Sequence, residues 1–67
     1  MRLVAERVRG LREISRLSYT DLADELGVKD TFIHKIEAGS RSVSRGKAED
    51  LAALFGTTLD YLRGDQD

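Results

Sequence analysis

Residues 18–39 read Ser18-Tyr19-Thr20-Asp21-Leu22-Ala23-Asp24-Glu25-Leu26-Gly27-Val28-Lys29-Asp30-Thr31-Phe32-Ile33-His34-Lys35-Ile36-Glu37-Ala38-Gly39. Two short amphipathic helices on either side of a glycine account for this order. Ser18 is a helix N-cap, with Asp21 three residues on in the place of a capping-box acid. Leu22 and Leu26 form the apolar stripe of a helix over 19–26. Gly27 stops it, because a tight turn bends through a left-handed conformation that glycine adopts without steric cost. A further helix runs from about 30 to 38, turning Ile33 and Ile36 inward, with Gly39 as its stop. Ala23 supplies the small residue that lets the second of these helices cross the first. Leu22, Leu26, Val28, Ile33 and Ile36 supply the apolar surface between them, and together these positions predict a compact helix-turn-helix.

Working outward, Val4, Val8, Leu11 and Ile14 recur at helical spacing and predict an amphipathic helix over about 2–15. Gly10 lies inside it at a cost of about 1 kcal/mol relative to alanine, which points to close approach of another helix there. On the other side, residues 40–44 are a polar loop. Ser44 caps a helix over 45–55 with Leu51, Leu54 and Phe55 inward, and Gly56 ends that helix. Thr57 or Thr58 caps a short fifth helix, with Leu59 and Leu62 packing inward. The expected organisation is all-α: one five-helix domain over 1–64 and a frayed tail over 65–67.

The chain has 67 residues and no cysteine, so neither a disulfide nor a thiolate metal cage contributes. A domain this small buries only about 60% of its unfolded surface, which favours further burial in a dimer. The N-terminus alternates apolar and charged residues, unlike a signal peptide, and no apolar run approaches the roughly 20 residues that span a bilayer. A soluble cytoplasmic protein is expected. His34 is the single histidine, so a metal site would have to be rich in carboxylates; no metal or cofactor is expected. An enzyme is not expected either. No nucleophile–base arrangement or phosphate-cradling loop is visible, and Glu49 and Asp50, being adjacent, point differently around a helix.

Net charge is −1, but its distribution is uneven. Residues 1–28 hold five arginines against five acids. Residues 29–47 hold Lys29, Lys35, Arg41, Arg45 and Lys47 against Asp30 and Glu37, a surplus of three cations. Residues 48–67 hold Arg63 against Glu49, Asp50, Asp60, Asp65 and Asp67, an excess of four acids. A basic middle can face phosphate while an acidic end limits non-specific association.

The run 18–28, the run 33–39 and Thr58-Leu59-Asp60-Tyr61-Leu62 together resemble the phage repressor and Cro-type helix-turn-helix family. This family, also called the xenobiotic response element type, includes restriction–modification controllers and many antitoxins. The likeness covers nearly the whole chain without insertions. It implies a five-helix, lambda-repressor-like domain, encoded by a bacterium or phage, whose third helix enters the major groove of double-stranded DNA. A homodimer would read the two halves of a palindromic operator.

By that resemblance, Asp30, Thr31, His34 and Lys35 face base edges. Lys29, Ser40 and Arg41 contact the backbone, and Arg45 matches a position that enters the minor groove in some relatives. Tyr19 stands where relatives carry a glutamine touching phosphate. Arg12 and Glu37 match an ion pair between the first and third helices, and Leu59 and Tyr61 fall where relatives dimerise. Besides Tyr19, three positions depart from the pattern. Asp30 is repelled by phosphate, so it either accepts from cytosine N4 or caps the helix. Phe32 is placed either to touch a thymine methyl or to pack on a neighbouring helix. Gly46 weakens the first turn of the fourth helix.

The main functional expectation is a sequence-specific transcriptional regulator. The other is a protein-interaction module of the same fold, acting through its acidic C-terminal third on a toxin, an anti-repressor or an RNA polymerase subunit. Salt separates the two, since phosphate contacts release counterions and side-chain docking on a protein does not.

Overall fold

The computed structural model describes residues 1–65, which form α1 (Ala5–Ile14), α2 (Tyr19–Leu26), α3 (Asp30–Glu37), α4 (Arg45–Phe55) and α5 (Leu59–Arg63). Among the described residues there is no strand. Local chemistry sets most boundaries. At the start of α2 the Ser18 hydroxyl accepts from the Asp21 amide at 3.0 Å, while the Ser18 amide donates to the Asp21 carboxylate at 3.1 Å. The Ser44 hydroxyl accepts from the Lys47 amide at 3.2 Å, and the Thr58 hydroxyl accepts from the Tyr61 amide at 3.1 Å. Gly27 closes α2 in the left-handed conformation at φ 69°.

Val8, Leu22, Ala23, Ile33, Ala48, Leu51 and Leu62 have no exposed surface, and Leu26, Ile36, Val43 and Ala52 complete the core. Ala23 is fully buried on α2, where a larger side chain would overpack the core. The helix-turn-helix is therefore packed from one side by α1 and α4, leaving the outer face of α3 free.

The N-terminal segment differs from the expectation of a helix over about 2–15: α1 begins only at Ala5. Met1 and Val43 exchange two backbone hydrogen bonds, and the Val4 amide donates to the Leu62 carbonyl at 2.7 Å. Pairing of the Met1 amino group and the Val4 amide with distant segments keeps residues 1–4 out of the helix. The periodic stripe also overreaches at its other end. Ile14 is 80% exposed, since α1 stops there and nothing covers it. Arg16, at φ 59°, takes the left-handed conformation that ends the turn before α2. Gly10 meets no neighbour within 4 Å of a built Cβ, so no helix approaches it closely. Asp65, the first residue of the expected tail, donates its amide to the Asp60 carbonyl at 2.9 Å; Gln66 and Asp67 lie outside the described residues.

Candidate nucleic-acid interface

α3 buries Ile33, Ile36 and Glu37 and exposes Thr31, His34, Lys35 and Ala38 at helical spacing on the opposite face. Eight residues rise about 12 Å, comparable to the width of a B-form major groove. Lys29, the N-cap of α3, is exposed and extended and makes no side-chain cap. Asp30 is exposed too, but its carboxylate accepts from the Thr20 hydroxyl at 2.7 Å. The contact ties the second residue of α2 to the first of α3 across the turn. It also places a negative charge at the positive end of the α3 dipole.

The middle of the chain supplies the positive face. Lys29, Lys35, Arg41 and Arg45 are exposed. The fifth cation, Lys47, turns inward and donates from Nζ to the Leu26 carbonyl at 2.7 Å, closing the C-terminal end of α2. Of the two acids in this third, Glu37 is buried and held by arginines. Arg12 Nε lies 2.6 Å from its carboxylate and Arg9 Nε lies 3.4 Å from it. The Arg12 guanidinium is held above its ordinary pKa chiefly by that hydrogen bond, against the opposing effect of burial. With Glu37 paired internally, four exposed cations outnumber the one exposed acid, Asp30, on this region's surface.

Three aromatic contacts order the rim of this face. Tyr19 and His34 stack with ring centres 3.8 Å apart and planes 25° from parallel, while the Arg12 guanidinium lies 4.2 Å from the centre of the same Tyr19 ring. Arg41 places its guanidinium 4.4 Å over the Phe32 ring. Phe32 is half-buried at the start of α3, so the loop cation is held beside the exposed helix face.

The loop after α3 is anchored where it leaves the helix. The Ser40 amide and hydroxyl both donate to the Lys35 carbonyl, at 3.0 and 3.2 Å, and Arg2 donates to the Gly39 carbonyl. Ser40 and Arg41 are thereby fixed near the C-terminal end of α3. Arg45 lies at the start of α4 and is paired with Glu49 at 3.7 Å; both side chains are well exposed. A pair this solvated contributes at most about 1 kcal/mol and exchanges readily with another anion.

A family model described as a helix-turn-helix domain, of the phage repressor and Cro type, matches residues 3–63. The chain belongs to this family. A search of curated proteins returned no match. Membership in the helix-turn-helix family points to DNA as a partner and agrees with the five-helix architecture. No helix among the described residues is long and apolar enough to cross a membrane.

In this helix-turn-helix domain α5 lies apart from the exposed face of α3. Leu59 and Tyr61 are half-buried on α5, and Arg7 packs its guanidinium 4.4 Å over the Tyr61 ring while donating to the Tyr61 carbonyl at 2.7 Å. Sequence reading missed the Thr20–Asp30 bond, the Tyr19–His34 stack, the part of Arg9 and the turn of Lys47 toward α2. The first joins the two helices of the motif and would have been accessible from their known crossing. The other three depend on how side chains pack between helices and have no signal in residue spacing.

Proposed function

We propose that the protein is a sequence-specific double-stranded DNA-binding regulator of transcription, of the repressor or controller type. It binds a palindromic operator as a homodimer, in the cytoplasm of its host, with residues 1–64 as the DNA-binding unit. The observation that carries this reading is the exposed face of α3, where Thr31, His34 and Lys35 stand clear of the core beside a cluster of exposed cations. Lys29, Ser40, Arg41 and backbone amides position the protein on phosphates, Arg45 reaches toward a groove, and the α3 face reads bases. Asp30, engaged by Thr20, keeps acceptor capacity for a cytosine amino group.

Size supports the dimer. The longest extent of the chain is 28 Å, whereas half-sites one helical turn apart lie about 34–36 Å from centre to centre. One copy cannot cover both, and a single α3 makes too few contacts for tight binding. Leu59 and Tyr61 on α5 are the proposed contact between copies. The test is a titration of labelled duplex at rising salt. DNA binding predicts a log–log slope of roughly −0.9 per phosphate neutralised. Binding that is absent, or indifferent to salt, would reject the reading and turn attention to the acidic surface of α4 and α5 as a protein-docking face.

A further inference from the structure

The ring of Tyr19 lies between two groups that belong to different parts of the domain. His34, on the exposed face of α3, stacks on it at 3.8 Å, and the Arg12 guanidinium lies 4.2 Å from its centre. Two planar groups centred that close to one ring would overlap if they shared a face, so they occupy opposite faces. Arg12 is itself fixed: its side chain is 11% exposed, it holds Glu37 from Nε and Nη2, and it donates from Nη1 to the Leu17 carbonyl at 2.9 Å. The order Glu37–Arg12–Tyr19–His34 thus runs from a buried carboxylate to a solvent-exposed imidazole without a gap. An exposed histidine ordinarily samples several rotamers, and ordering it on binding opposes association. Here the ordering is supplied before any ligand arrives.

We infer that Tyr19 is a positioning residue for recognition: its ring, backed by Arg12, holds the His34 imidazole in one orientation, so base preference opposite His34 depends on the Tyr19 ring and not on its hydroxyl. This rests on the DNA-binding reading above and assigns Tyr19 a part other than the phosphate contact implied by family resemblance. The stack requires only the ring, not the hydroxyl.

The experiment compares base preference and salt slope for wild type, Tyr19→Phe, Tyr19→Leu, His34→Ala and the double variant Tyr19→Leu/His34→Ala. All are used as the full chain, with folding checked by thermal melting. Tyr19→Phe should keep base preference, since the stacked ring is retained. Tyr19→Leu should reduce discrimination at one base pair in each half-site by about twofold to tenfold, the range set by the cost of ordering one side chain. The affected base pair should be the one lost in His34→Ala, and the double variant should add no further loss there. In the free protein, the His34 ring protons should resonate upfield in wild type and Tyr19→Phe, from the ring current of the stacked aromatic, and move back in Tyr19→Leu. Retained discrimination in Tyr19→Leu, or unshifted ring protons in wild type, overturns the inference. So does a loss of discrimination at that base pair in Tyr19→Phe. If wild type shows no preference at all, the DNA-binding reading has failed and the inference falls with it; if wild type discriminates and Tyr19→Leu does so equally, only the inference fails.

Discussion

Arg12 Nε lies 2.6 Å from a carboxylate oxygen of Glu37, joining α1 to the last residue of α3. A carboxylate at that place is opposed by the negative end of the α3 dipole and by burial, since the Glu37 side chain is only 1% exposed. The burial of this carboxylate is offset by the arginines that hold it. Arg12 contributes two side-chain contacts from a nearly buried position, while the Arg9 side chain is 50% exposed and sits farther away.

Replacing Arg12 by methionine should cost about 3–5 kcal/mol, as expected when one partner of a buried pair is removed. Arg9→Met should cost no more than about 1 kcal/mol, since a half-exposed pair is screened by solvent. Urea denaturation of both variants measures the difference, and equal losses would show that the two arginines share the carboxylate evenly.

The capping box at α2 gives a pH dependence of known sign. Hydrogen bonds from Ser18 hold the Asp21 carboxyl below its ordinary value of 3.8, because they favour the ionised form. A group depressed in the folded state stabilises fully above its unfolded value and loses that contribution as pH falls through the folded one. The melting temperature of wild type should therefore exceed that of Asp21→Asn at neutral pH. The gap should narrow only below about pH 4. A gap that closed instead above that value would assign the effect to another group.

Gly27 and Gly64 both have positive φ, at 69° and 84°, but differ in what surrounds them. A Cβ at Gly27 meets open space, whereas one at Gly64 lies 3.0 Å from Val4 Cγ2. Alanine at either site carries about 1–2 kcal/mol of left-handed strain. Gly64→Ala should cost more, because Val4 must shift while its amide hydrogen bond to the Leu62 carbonyl holds it in place. Chemical denaturation of the two variants ranks them, and a larger loss at Gly27 would contradict the packing argument.

Positioning and reading should separate by residue. Arg41→Ala, removing the loop cation that rests on Phe32, should weaken binding to all sequences about equally and reduce the salt slope by about 1. Lys35→Ala should alter base preference at its own position in each half-site. Competition assays with matched and mutated duplexes distinguish the two, and the reverse pattern would exchange the roles.

The sequence was most legible where structure is decided locally. The limits of α2 and α4 follow from Ser18, Gly27, Ser44 and Gly56, whose cap chemistry acts within a few residues. The exposed positions of α3 follow from the same periodicity that buries Ile33 and Ile36. Residues 1–4 were illegible because their non-helical form depends on Val43 and Leu62, far along the chain. Ile14 misled because periodicity records which residues share a face, not whether another element covers it. The Arg12–Glu37 pairing was suggested only by family resemblance. The stack of Tyr19 on His34 could not be read at all, since it depends on side-chain rotamers at the crossing of α2 and α3.

The most direct test of the regulator reading is selection from a pool of randomised duplex DNA, with sequencing of what binds. The account predicts enrichment of a two-fold palindrome whose half-sites lie about one helical turn apart. Recovery of unenriched sequence, with only weak and salt-sensitive retention, would contradict it.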